Sequence, residues 1–421
     1  MNDRYSLFAN RFLKPSGTKQ LMADLSEVAN SDAPLINLGG GNPGMIPQAH
    51  ALFRHRIKTM LDDRSIDNIL RRYDGPQGHL GFRKTLASQL SSRFGWSIGA
   101  ENIALTAGSQ TSFFMLFNAF AGVFGSERNK KIMLPLAPEY IGYTDVGLVD
   151  DMITSRPGAI EITGEHTFKY RLAVSDNDID SNVGLMCVSR PTNPTGNMIT
   201  DDELRQLTDI AARANVPLII DGAYGLPFPH IVFNDAEPMW AEHVILCLSL
   251  SKLGLPGLRT GVVIADPETI EMLTAMNAIF SLANNSLGAE AVEPLLRSGE
   301  IFELSRNVIK PFYEQKLTLA KQWIAEAFGD LKVYTHESEG AIFLWLWFPD
   351  LPIEDMELYR RLKARGVLVL PGSYFFPNKD ADVHHQHECI RLSYAQDAKD
   401  VEAGIRVIAE EVRRAYTESS N

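Results

Sequence analysis

Short apolar runs alternate with amphipathic stretches through the middle of the chain. "KIMLPL", "VGLMCVSR", "VPLIID", "VILCLSLS" and "RTGVVIAD" have the continuous hydrophobic character of strands buried on both faces. Between them lie segments such as "DDELRQLTDIAARAN", residues 201–215, in which apolar positions recur at helical spacing. This alternation predicts βαβ units and a mostly parallel sheet covered by helices on both faces. The final stretch reads differently: "GAIFLWLWF" is a strand, "IEDMELYRRLKARG" a helix, "VLVLPG" and "CIRLSYA" are strands, and "DAKDVEAGIRVIAEEVRRAY" is a closing helix. It predicts a smaller α+β unit, joined to the first by a helical region over 287–328. The tail 417–421 reads as frayed.

Composition narrows the class. The chain has 421 residues, 45% of them hydrophobic, enough for a large core. A net charge of −12 without any basic run argues against nucleic acid or an anionic membrane as the main partner. There is no apolar stretch of bilayer-spanning length, and the start has no signal-peptide core, so a cytoplasmic location is expected. The three cysteines, Cys187, Cys247 and Cys389, are far apart and read as buried, reduced thiols.

The candidate chemistry sits where strands end, because parallel α/β sheets present functional groups on the loops after their carboxyl edges. "IALTAGSQTSFFMLF" is a strand, a small-residue turn and a helix; Gly108, Ser109 and Gln110 would form either an ordinary cap or an anion cradle. "VPLIIDGAYG" ends on Asp221, followed by Tyr224, which suits a loop cap as well as a functional carboxylate. Asn193 in "VSRPTNPTGN" stands in a proline-stiffened turn. Lys252 in "CLSLSKLGLPGLRTG" directly follows a buried strand. A desolvated amine there has the lowered pKa that Schiff-base chemistry requires, and Arg259 adds a second cation able to bind phosphate. A structural salt bridge is the alternative. An amine, a phosphate cradle and a strand-end acid are together the parts that pyridoxal phosphate needs. "DVHHQHECI" brings His384, His385, His387 and Cys389 close together, but at a spacing that suits neither a helix face nor a paired finger motif, so no metal site is expected. The tryptophans of "FLWLWF" alternate as in a strand with one core face.

In order along the chain, "LINLGGGNPGMIP", "YDGPQGHLGFRKTL", "LTAGSQ", "PLAPEYIGY", "SRPTNPTGN", "DGAYG", "SLSKLGLPGLRTG" and "CIRLSYA" resemble the pyridoxal-phosphate aminotransferases of fold type I, class I. The resemblance implies an aspartate aminotransferase-like α/β fold: a large domain, 47–300, around a mostly parallel seven-stranded sheet sandwiched by helices, and a smaller α+β domain from 1–46 and 301–421. It implies pyridoxal 5'-phosphate as cofactor, held by Lys252 as an internal aldimine. Lys252 then shuttles the proton, Asp221 pairs with the ring nitrogen, and Tyr224 and Asn193 bond the phenolic oxygen. Tyr140 stacks on the ring, and Gly108, Ser109, Gln110, Ser249 and Arg259 form the phosphate cup. Arg391, with Asn193 and the backbone at Gly40, grips the substrate carboxylate. Tyr73 reaches the phosphate of a neighbouring subunit, which makes the active site a property of a homodimer.

The implied reaction is ping-pong transamination of a small apolar amino acid such as valine with pyruvate. The alternatives are a β- or γ-lyase acting on sulfur amino acids, or transamination of other aliphatic or aromatic amino acids. A non-catalytic sensor module is disfavoured, since the lysine is retained and no DNA-binding domain is attached. A dicarboxylic substrate needs a second cation; Arg71, Arg72 and Arg297 are candidates but match no motif. Ile141, Tyr143, Tyr374, Phe375 and Phe376 are candidates to line the side-chain pocket. The asparagines of "FSLANNSLG" match no motif, which leaves cross-subunit contacts there open.

Overall fold

The structure, a computed structural model, describes residues 4–30, 35–125, 128–377 and 383–418. The end of the tail, 419–421, lies outside the described residues. In chain order the strands that organise the molecule are β1 (Ile103–Thr106), β2 (Gly122–Phe124), β3 (Arg128–Ala137), β4 (Ile153–Pro157), β5 (Ala159–Gly164), β6 (Thr167–Arg171), β7 (Val183–Ser189), β8 (Leu218–Asp221), β9 (Val244–Ser249), β10 (Gly261–Ile264), β11 (Tyr334–His336), β12 (Phe343–Trp347), β13 (Leu370–Pro371) and β14 (Cys389–Ser393).

The main sheet has the order β1-β10-β9-β8-β7-β3, with β4 parallel to β3, which makes seven strands, the number expected. The short β2 adds an eighth by folding back antiparallel on the start of β3. β9, β8, β7 and β3 run parallel, whereas β10 is antiparallel to both neighbours. Every residue of β7, β8, β9 and β10 is buried. Alternate side chains pack into two cores: Leu218, Ile220, Leu246 and Leu248 on one face, Ile219, Ile245 and Cys247 on the other. This explains the unbroken apolar runs, since a sheet covered on both faces has no polar side. All three cysteines are buried and free.

The helix at Asp201–Ala214 forms as its sequence dictates. Thr200 and Glu203 make a reciprocal capping box, Leu204, Leu207 and Ile210 face the core, and Asn215 ends the helix in the left-handed conformation.

A second sheet has the order β13-β14-β12-β11-β6-β5. Its hairpin β5–β6 comes from the middle of the sequence, within the range read as the large domain, and joins through the parallel pair β6–β11. Ile36–Asn37 pairs in parallel with Val367–Leu368, tying the N-terminal segment to the C-terminal one. The helical region over 287–328 is present as Leu287–Ser298, Glu300–Leu304 and Lys310–Phe328, joined through a π-helical turn at Ser305–Ile309.

Candidate active site

The register of the main sheet places Ser189, Asp221 and Cys247 side by side at one edge, with Ser249 two residues further along β9. Because β10 is antiparallel, its start at Gly261 meets the end of β1 at Thr106, which brings Arg259 to the same edge. A cavity of about 290 Å3 opens there. Ser109, Gln110, Tyr140, Asn193, Asp221, Tyr224, Ser249, Lys252, Arg259 and Arg391 all line it, so ten of the residues singled out in the sequence converge. A wider surface depression of about 600 Å3, beside His243 and Glu268, carries no comparable set of groups.

Ser109 begins helix α1 (Ser109–Phe120), and no side chain caps its first turn. Gly108 precedes it at φ +93°, and a Cβ there would fall 2.2 Å from Arg259 Nη2. Only glycine lets the guanidinium approach this helix start. Arg259 Nη1 also lies 3.4 Å from the Ser251 hydroxyl, and Ser249 Oγ accepts the Ser251 N–H at 3.1 Å. An uncapped helix N-terminus, an arginine and three hydroxyls form a cup for a phosphate.

Asp221 is buried. Its Oδ1 accepts the Ala223 N–H at 2.9 Å and its Oδ2 accepts the Tyr143 hydroxyl at 2.8 Å. Burial pushes its pKa up to about 6, with the two hydrogen bonds opposing. The Lys252 ammonium donates to the Gly41 carbonyl at 2.5 Å and lies 5.2 Å from the centre of the Tyr224 ring. Burial, and then the cations of Arg391 and Arg259, lower its pKa to about 8. The free-amine fraction of Lys252 therefore grows as pH rises through about 8, while an ordinary surface lysine titrates near ~10.4. In the cofactor-free protein, acylation of Lys252 followed by peptide mass spectrometry is expected to reach half its maximal rate near that lower pH. A profile that coincides with the surface lysines would contradict the burial account.

Arg391 is carried by β14 and is 2% exposed. Its Nη1 donates to Asn193 Oδ1 at 2.7 Å and its Nη2 to the Gly39 carbonyl at 2.5 Å, while the Phe343 ring lies 4.0 Å from the guanidinium carbon. Among the described residues its Nε is buried without a hydrogen-bond partner, and burial lowers its pKa to about 10.

Not every candidate residue lines the cavity of its own chain. Tyr143 does not line the cavity; it is fully buried behind it, edge-on to Tyr140 at 5.3 Å, where its hydroxyl holds Asp221. Phe375 is buried with its ring 5.2 Å from Arg391, and neither it nor Tyr374 nor Phe376 is among the lining residues. Ile141 does line the cavity. Gly40 is not a lining residue: its neighbours Gly39 and Gly41 present the carbonyls that meet Arg391 and Lys252. Tyr73 is 87% exposed and lies outside the cavity of its own chain. Arg71 and Arg72 are exposed, and Arg297 pairs with Glu293 at 2.5 Å. Asn284 donates to the Leu105 carbonyl at 2.6 Å and Asn285 to that of Leu258 at 3.2 Å. In the histidine segment, His385 bonds the Tyr170 hydroxyl at 2.5 Å and His387 bonds Asp355 at 3.0 Å; Asp382 lies outside the described residues.

Sequence reasoning missed Leu21 and Met22, which reach the cavity from the helix Gly17–Asn30, and Ser189 and Ser251 at the strand ends. It also missed Glu139, although a carboxylate just after the apolar run "IMLPLAP" is the same signal that singled out Asp221.

The donor set fits pyridoxal 5'-phosphate: a phosphate cup, an acid for the ring nitrogen, an amine for the aldehyde and an aromatic wall surround one cavity. Comparisons with known proteins agree. The model of the family "Aminotransferase class I and II" matches residues 33–408. The valine–pyruvate aminotransferase of Escherichia coli (strain K12) is 45% identical over 99% of each chain. Among solved structures, a Psychrobacter arcticum 273-4 protein superposes with a TM-score of 0.96 at 44% identity, over 99% of this chain and 100% of that one. The valine–pyruvate aminotransferase of Salmonella typhimurium LT2 gives 0.87 at 45% identity, over 96% of this chain and 100% of that one. The strand-end lysine and its surroundings thus belong to an aminotransferase, and the chain is a member of the class I and II family.

Proposed function

We propose that this protein transfers the amino group of L-valine to pyruvate, giving 3-methyl-2-oxobutanoate and L-alanine. The observation that carries the reading is the convergence of Lys252, Asp221, Arg259 and Arg391 on one cavity, in a chain 45% identical to a valine–pyruvate aminotransferase.

When bound, pyridoxal phosphate supplies an aldehyde that carries the amino group and a ring that takes up electron density. The α1 N-terminus, Ser249, Ser251 and Arg259 hold the phosphate. Asp221, oriented by Tyr143 and the Ala223 N–H, keeps a proton on the ring nitrogen. Tyr140 walls the ring face, with Tyr224 and Asn193 beside it. The Arg391 fork binds the substrate carboxylate through two parallel hydrogen bonds and fixes the α-carbon. The Lys252 amine, once free, removes the α-proton and returns it one position further along. The first substrate leaves as a 2-oxo acid before the second enters, so the kinetics are ping-pong.

The side chain of the substrate meets Leu21, Met22 and Ile141. The cations that line the cavity, among the described residues, are Lys252, Arg259 and Arg391, each engaged above. A second carboxylate would be desolvated without a partner. With pyruvate as acceptor, kcat/KM for L-valine is expected to exceed that for L-aspartate by about 10² or more. Equal values in a coupled alanine assay would contradict the apolar pocket.

The working unit in this reading is a homodimer in which Tyr73, exposed on its own chain, reaches the phosphate of the partner. Neighbouring exposed apolar residues, Leu70 at 76% and Tyr73 at 87%, support a covered surface there. A cytoplasmic location accords with three reduced thiols; among the described residues no helix is long and apolar enough to cross a membrane.

A further inference from the structure

Glu139 is a buried carboxylate that the amino transfer described above does not use. It is 1% exposed and follows β3, immediately before Tyr140. Its Oε1 accepts the Ser189 N–H at 2.8 Å; its Oε2 accepts the Tyr140 N–H at 3.1 Å and contacts the Ser189 hydroxyl. Its own N–H donates to the Phe375 carbonyl at 2.9 Å. Four contacts therefore join three pieces of chain: the turn after β3, the end of β7 and the turn Gly372–Phe375. Each piece bears on the site. Tyr140 and Ser189 line the cavity, and the Phe375 ring faces the Arg391 guanidinium.

Tyr140 is also held by its carbonyl, which accepts the Tyr143 N–H at 3.1 Å, and by packing against both cores. Its ring passes where a Cβ on Gly142 would stand 2.4 Å away, and its edge rests on Tyr143. On the N-terminal side of the ring, the Tyr140 N–H is held by the Glu139 carboxyl. An apolar residue at 139 would leave the Ser189 and Tyr140 N–H groups without this acceptor inside the protein.

We propose that Glu139 is a positioning residue for the amino-transfer site: its carboxyl, by tying the Tyr140 N–H to the Ser189 N–H, fixes the aromatic wall against which the cofactor ring rests. The bond from its backbone N–H to the Phe375 carbonyl would be made by most residues at 139 and is not part of this role. This rests on the reading of the cavity as a pyridoxal phosphate site. Burial pushes the Glu139 pKa up, and the hydrogen bonds from Ser189 and Tyr140 that form the clamp oppose that shift.

The test is the affinity of the apoprotein for pyridoxal 5'-phosphate, titrated by quenching of protein fluorescence well below the unfolding temperature. Glu139→Gln keeps the volume but offers one acceptor oxygen for the two N–H donors. It is expected to bind the cofactor about 10-fold more weakly and to raise KM for the amino acid, with Tm little changed. Glu139→Ala is expected to lose about 100-fold; should it fail to fold, the glutamine variant decides. A Glu139→Gln protein with wild-type Kd and KM would overturn the positioning role, even if its Tm fell. A wild-type apoprotein that does not bind the cofactor would instead remove the reading of the site, and the clamp with it.

Discussion

Replacing Lys252 by alanine is expected to lower kcat for amino transfer by about 10⁴-fold or more, the upper end of what one positioned acid–base group contributes. Two functions leave together: the amine that anchors the cofactor aldehyde and the base that moves the α-proton. The structure gives the reason that another residue does not substitute. Tyr224 is buried with its pKa raised well above the ordinary value, and Asp221 is committed to Tyr143 and the Ala223 N–H. The measurement that isolates the proton step is exchange of the valine α-hydrogen in deuterated water. The wild type is expected to exchange it without any acceptor 2-oxo acid, whereas Lys252→Ala is expected not to exchange it on the same timescale. Exchange at the wild-type rate by the variant would reject Lys252 as the base.

The second large effect is expected at Arg391. Arg391→Lys keeps a charge but loses the planar fork, and it leaves Asn193 Oδ1 and the Gly39 carbonyl without their donors. A buried, hydrogen-bonded charge of this kind is worth enough that kcat/KM is expected to fall by about 10²–10³. The loss should fall mainly in KM, and equally for the amino acid and the 2-oxo acid, since both present a carboxylate to the same group. The visible spectrum of the cofactor-loaded protein should be unchanged, because Arg391 holds the substrate in this account. A variant with unchanged KM and a weakened hold on the cofactor would reassign Arg391.

Those two residues also mark how far the sequence can be read. Lys252 and Asp221 are legible because each is the first charged group at or just past the end of a strand buried on both faces, where a charge is costly unless it has a task. Arg391 is legible only through resemblance, since an arginine inside "CIRLSYA" has nothing local to distinguish it. The role of Tyr143 is not legible at all. It lies 78 positions from Asp221, and the bond between them exists because β3 and β8 end at the same edge of the sheet. Leu21 and Met22 escape for the same reason: they sit on an ordinary amphipathic helix whose place over the cavity is decided by tertiary packing. The direction of β10 is hidden by the same double burial that reveals the strand, because a run buried on both faces looks alike in either orientation. The hairpin Ala159–Arg171 is not among the strands read from the sequence, and its membership of the second sheet is a non-local pairing with β11.

The most direct test of the central claim is to incubate the purified, cofactor-loaded protein with nitrogen-15-labelled L-valine and unlabelled pyruvate, and to follow both products by mass spectrometry. The account expects labelled L-alanine and 3-methyl-2-oxobutanoate to appear in equal amounts, with no ammonia released and with rates that fit parallel-line, ping-pong kinetics. Ammonia or a 2-oxo acid accumulating catalytically without an acceptor, or alanine that carries no label, would contradict it.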